Sequence, residues 1–234
     1  MKATDWLMPT NAWVRWILIF SFLNVVLASY LLLGRPDLSR REDAEKIFAL
    51  AEEIEKAGDY GKAEALYTQI MTEMSWSVMA PKAGYALAEI HKRHNFDMEK
   101  ARTVLRQVAD FEESEIGDKA QSDLAFIEAH WGDDKGEALK RWFQASEQYR
   151  AERYAEAINL LSEIESRYPQ STLVPHAMFR QGSAAEKSGY NSRAIDLYRS
   201  VAMKFPSHSV ANNARKRFTA LTGVTLDTGT QAPR

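Results

Sequence analysis

His91 and His94 stand three residues apart in EIHKRH, close enough on a helix for two imidazoles to share one face. A zinc hydrolase places its pair as HExxH with a further ligand elsewhere, and neither that pattern nor a distant ligand is present here. The pair reads as satisfied or surface histidines. Glu52, Glu53 and Glu55, like Asp133 and Asp134, read as solvated faces rather than as a general acid and base. GDYGK holds a glycine and a lysine but has neither the preceding strand nor the following Ser/Thr of a phosphate loop. The expectation is a protein that is not an enzyme, with no catalytic residues, no metal, no cofactor and no small-molecule substrate.

Composition narrows the partners. The chain has 234 residues, 45% hydrophobic and 26% charged, ordinary values for one or two folded domains. Lys+Arg 30 against Asp+Glu 32 leaves a net charge of −2. Neutralising phosphates needs a basic face, so nucleic acid is not an expected partner. Cysteine is absent, which excludes disulfides, thiolate metal sites and a lipidated N-terminal cysteine.

The charge is unevenly spread. Trp16 to Leu33 reads WILIFSFLNVVLASYLLL, eighteen residues without a charge, which as a helix would be about 27 Å long, near the hydrocarbon thickness of a bilayer. Trp13 and Trp16 suit the interface, Arg15 can reach the headgroups, and Asn24 with Ser21 and Ser29 gives the segment its few polar atoms. Residues 1–34 are therefore expected to form a single-pass membrane anchor. The apolar run is longer than a signal peptide's and no A-x-A-like cleavage site follows it, so retention is favoured over cleavage. Arg35, Arg40, Arg41 and Lys46 outnumber Lys2, Arg15 and the terminal amine, which leans towards a cytoplasmic C-terminal domain.

What positions side chains in the remainder is an internal repeat. Tyr154, Ala157, Leu161, Ile164 and Pro169 answer to Asn191, Ala194, Tyr198, Val201 and Pro206, each pair 37 residues apart. Each set describes a helix with a small residue at a close approach, apolar residues four and seven further on, and a proline where it stops. Ala145 and Gly182, twelve residues before the two alanines, let a preceding antiparallel helix come near. In GSAAEKSGYNSRAIDLYRSVAMKFP and GDYGKAEALY the chain resembles the tetratricopeptide repeat. The spacer YPQSTLVPHAMFRQG is similar to that of bacterial envelope members, of the Tol-Pal coordinator and outer-membrane assembly lipoprotein types. That resemblance implies an all-α solenoid of helical hairpins and a periplasmic repeat domain at the inner membrane, against the lean of the flanking charges.

The expected layout is a linker at 35–41, two repeats at 42–114, a connecting helix at 115–134, two more repeats with a capping helix at 135–222, and a disordered tail at 223–234. In the first repeat Ile47, Leu50, Ala51 and Ile54 mark one helix at spacings of three and four. Ser75 replaces the proline, so that helix should end less sharply. The turn HNFDM of the second repeat is longer than the repeat's by one residue and lacks the Gly-x-Tyr, which makes this a degenerate repeat.

The resemblance places a partner groove on the first helix of each pair, at Phe48 and Glu52, at Tyr85 and Glu89, at Trp142, Ser146 and Tyr149, and at Phe179, Ser183 and Glu186. The recurring aromatics could hold an extended or helical peptide or could simply be core. Trp142 is the favoured contact, because Phe143 beside it cannot share its orientation. The lysine and asparagine of a chaperone-binding carboxylate clamp are missing from these positions. The function expected is a membrane-anchored scaffold that binds a protein or peptide in its groove, in envelope assembly. The alternative is an accessory subunit held in a membrane complex partly through its anchor.

Overall fold

The computed structural model describes residues 20–22, 24, 36–111 and 114–226, and among them every regular element is helical. One turn geometry builds them into hairpins. Gly58, Phe96, Glu152 and Gly189 adopt the left-handed conformation, with φ of 85°, 51°, 59° and 80°. Each stands five residues before a fully buried alanine: Ala63, Ala101, Ala157 and Ala194. A single left-handed residue ends one helix and turns the chain for the next. Asp59 and Asp97 then cap the second helix by accepting from the amides of Lys62 and Lys100 at 3.2 and 3.0 Å.

The first hairpin is α1 (Pro36–Lys56) with α2 (Tyr60–Glu73). The second is α3 (Ala80–Ile90), extended by a π-turn at His91–Asn95, with α4 (Met98–Ala109). Helix α5 (Glu115–Ala129) follows alone. The third hairpin pairs α6 (Glu137–Arg150) with α7 (Tyr154–Arg167), the fourth pairs α8 (Val174–Lys187) with α9 (Asn191–Lys204), and α10 (Ser209–Thr222) closes the stack. Each helix packs along its successor, with α5 and α6 the exception. The result is all-α and consistent with a helical solenoid.

Small residues set the spacing, as the repeat predicts. Ala51, Ala145 and Gly182 occupy equivalent buried sites twelve residues before Ala63, Ala157 and Ala194. In the second hairpin the buried partner of Ala101 is Ala88, thirteen residues earlier. The π-turn takes up the extra residue, with the amide of Asp97 reaching the carbonyl of His91 at 2.9 Å.

Several expectations are corrected. The stretch expected as a linker is helical from Pro36 onward, since proline suits a first helical position and SRREDAEK contains no breaker. Leu50 is 48% exposed, turned away from the stripe that Ala44 and Ala51 bury. The end of α2 is as sharp as the others. Met74, Tyr168 and Phe205 share φ near −128° (−129°, −127° and −128°) and return their amides to Ile70, Ile164 and Val201. The next turn recurs as well. The amide of Ser77 bonds to Met74, that of Ser171 to Tyr168 and that of His208 to Phe205, at 2.8–3.0 Å. That local hydrogen bonding stops the helix just before Ser75 without a proline. The start of the expected tail is ordered: Gly223 caps α10 with φ 71°, and Leu226 packs back on the core. The remainder of the tail lies outside the described residues.

The connecting helix belongs to the front stack. It lies along α4 and reaches α3, as α10 lies along α9 and reaches α8, so α5 covers the end of the second hairpin. The hydrophobic core nevertheless runs through this joint. One cluster includes Leu105, Val108, Ala120 and Ile127 together with Leu139, Trp142, Leu161 and Tyr198. A second, formed by Ala51, Tyr67, Ile70 and Leu87, fills the space between the first hairpin and α3. At the joint Trp131 lies between the Arg102 guanidinium, 3.9 Å above its ring, and Gly136, where a Cβ would come within 3.0 Å of the indole.

No helix among the described residues is long and apolar enough to cross a membrane. The expected anchor falls almost wholly outside them, including Trp13, Arg15 and Trp16. Asn24 is described and donates to the carbonyl of Phe20 at 2.7 Å.

Candidate partner-binding groove

Helices α6, α8 and α10 are the first helices of successive units, and they border a cavity of about 300 Å³. Trp142 and Tyr149 face it from α6, His176, Phe179, Arg180 and Ser183 from α8, and Val210 from α10. Spacings of three, four and seven put each set on one helix face. The close approach at Gly182 sets the depth of packing behind it, with the Tyr198 ring lying where a Cβ would be. Phe179 rests on Tyr198 with ring centres 5.4 Å apart at 48°, reproducing Phe48 on Tyr67 at 5.6 Å and 53°.

Arg180 dominates the chemistry of the cavity. Its guanidinium lies 4.3 Å above the Trp142 ring and 5.8 Å from that of Tyr149. Its Nη1 donates to Ser146 Oγ at 2.6 Å, and that hydroxyl donates to the Trp142 carbonyl at 2.8 Å. Burial pushes the guanidinium pKa below its ordinary value, with Tyr149 acting to raise it and the nearby Arg150 to lower it. No carboxylate takes part, and Arg180 forms no ion pair among the described residues. Tyr149 and Ser183 share a hydrogen bond of 2.8 Å between their hydroxyls.

Lys92 has the opposite surroundings. It is 4% exposed and sits between Glu89 and Asp123, with the rings of Tyr85 and Phe143 each 5.8 Å from its Nζ. Tyr85 donates to the same Asp123 at 3.1 Å, and Arg93 completes the group through Glu89 at 2.6 Å. This cluster is neutralised internally.

A row of histidines borders the groove. His130, His176 and His208 stand edge to face with ring centres 5.4 and 4.8 Å apart, and His176 is 6.1 Å from Trp142. Burial, then the neighbouring His208, His130 and Arg180, lowers the His176 pKa to about 4. His130 is lowered by burial and by His208. Among the described residues no group of three histidine, cysteine or carboxylate side chains is placed to hold a metal. His91 is buried 3.9 Å from Glu64, and His94 stacks on Tyr60 at 3.6 Å.

Five of the ten expected groove residues come together here: Trp142, Ser146, Tyr149, Phe179 and Ser183. Trp142 is the more enclosed of its pair, at 9% exposure, while Phe143 is half-buried. Glu186 turns instead to Tyr198, at 2.9 Å, and to Arg217. Phe48 and Glu52 belong to the first hairpin, and Tyr85 and Glu89 join the Lys92 cluster. Arg180 and His176 were not legible as site residues. The positions equivalent to Arg180 in the third and first repeats are Phe143 and Ala49, so periodicity gives no sign of a cation there. No protein-family model and no curated protein matches the chain.

Proposed function

We propose that this chain is a membrane-anchored tetratricopeptide scaffold that captures a protein partner in the groove between α6, α8 and α10, in assembly of the bacterial envelope. The observation that carries this reading is the cavity itself, which combines aromatic faces with a half-buried cation and paired hydroxyls. Large aromatic rings and an arginine are the side chains that most often dominate binding energy at protein interfaces. The shared turn geometry and small-residue spacing support the tetratricopeptide assignment. The uncharged run Trp16–Leu33 supports the anchor. Confinement to a membrane raises the effective concentration towards other membrane-bound proteins, so a modest groove affinity is sufficient.

The test is a photo-crosslinking amino acid at Tyr149 in the full chain, in cells. A discrete adduct is expected, to be lost when Ser183→Trp fills the cavity and retained when residues 1–34 are exchanged for an unrelated single-pass anchor. An adduct that survives Ser183→Trp and disappears with the anchor exchange would refute the groove and favour the accessory-subunit reading.

A further inference from the structure

Resting on the groove reading above, we propose that the cavity at Arg180 takes the side-chain carboxylate of an aspartate or glutamate in the partner's bound segment. Lys92 is buried and Arg180 is half-buried, and the two cations differ in their partners. Lys92 is neutralised by Glu89 and Asp123, whereas Arg180 lies against Trp142, Tyr149 and Ser146 with no carboxylate among the described residues. Enclosing a cation without a counter-charge is unfavourable, and an incoming carboxylate relieves it.

The surroundings hold the guanidinium ready for such a group. Stacking on Trp142 fixes its plane and Ser146 fixes one edge through Nη1, leaving Nε and Nη2 without an acceptor among the described residues. A planar guanidinium with two free donors matches a carboxylate bidentately. The near acids are engaged elsewhere: Glu147 pairs with Arg150 and Glu186 with Arg217. A cavity of about 300 Å³ has room for one or two side chains and not for a stretch of backbone. The carboxylate therefore reaches in from a segment lying across the mouth, and Phe179 offers an adjoining apolar face.

The experiment uses the full chain in detergent micelles against a displayed library of random twelve-residue peptides. Selected sequences are then synthesised with amidated C-termini, so that only side-chain carboxylates remain. Aspartate or glutamate is expected at one fixed position beside an apolar residue. Changing that acid to its amide should weaken binding to the wild-type chain by about tenfold or more, and by less than about twofold on Arg180→Met, the coupling expected of a direct pair. Arg180→Lys, which keeps the charge without the fork, should fall between the two, and its thermal melt reports whether the fold is intact. Peptides that bind in a Ser183→Trp-sensitive way but show no fixed acid, or lose equal affinity on both chains when the acid is amidated, would overturn the carboxylate assignment alone. If no selected peptide is sensitive to Ser183→Trp, the groove reading falls and this inference falls with it.

Discussion

The hydroxyl of Tyr198 donates to Glu186 across 2.9 Å, and the same twelve-residue reach recurs where Tyr67 donates to Glu55 across 2.8 Å. Both tyrosines are fully buried, hydroxyl included, so each hydroxyl needs a partner within the protein and finds one in a carboxylate. Tyr67→Phe should lower the free energy of unfolding by about 1 kcal/mol, measured by urea titration. Tyr198→Phe should cost less, because Glu186 keeps Arg217.

Gly182→Ala is expected to destabilise by about 1–3 kcal/mol. The added Cβ would come within 2.8–3.2 Å of three atoms of the Tyr198 ring, which is fully buried and cannot retreat without moving α9. Gly189→Ala separates the steric from the backbone effect. Nothing lies within 4 Å of its added Cβ, but φ is 80°, so its cost should be about 1 kcal/mol. A loss at Gly182 no larger than at Gly189 would contradict the close packing.

At the third turn the left-handed residue is Glu152, with φ 59°. Glycine relieves the strain there while adding freedom to the unfolded chain. Glu152→Gly should therefore raise stability by about 0.5 kcal/mol, read as a small upward shift in the urea midpoint. A fall in the midpoint would show that this turn is not held in the left-handed region in solution.

Lys92→Met should be among the most damaging single changes, at about 2–4 kcal/mol. It removes the ammonium that Glu89 and Asp123 share and leaves both carboxylates half-enclosed. The double variant Lys92→Met/Asp123→Leu should recover part of that loss, with unfolding followed by circular dichroism.

Acid should loosen the rear stack. Burial holds the His176 pKa in the folded chain at about 4, below its ordinary 6.5, so protonation favours the unfolded chain. The stabilising contribution of neutral His176 is complete above about pH 6.5 and is lost as pH falls towards about 4. His130, shifted the same way, adds to the trend. Melting temperature measured from pH 7.5 to 4 should fall less steeply for His176→Gln than for the wild-type chain. Parallel profiles would show that this imidazole stays accessible to protons.

The 37-residue step, the small residues ahead of each alanine and the apolar positions behind them were enough to specify helical hairpins, because these features act within one turn or one pair of helices. The tetratricopeptide resemblance, carried over onto that pattern, implied the groove positions Trp142, Ser146, Tyr149, Phe179 and Ser183 that border the cavity or bond to Arg180. Local physics beyond that pattern decided other details. Proline at a first helical position begins α1 in the stretch expected as a linker, backbone hydrogen bonding ends α2 just before Ser75 as sharply as a proline would, and a π-turn takes up the extra residue before Phe96.

Tertiary structure alone decided the rest. Arg180 becomes the centre of the groove because α6 brings Trp142 beneath it and Ser146 to its edge, 38 and 34 residues away in sequence. His130, His176 and His208 form a row only because three separate units stack in register. Whether a charge is neutralised depends on which helix packs opposite. Asp123 of α5 comes to Lys92, whereas among the described residues no acid comes to Arg180, and nothing in the spacing of either residue distinguishes the two.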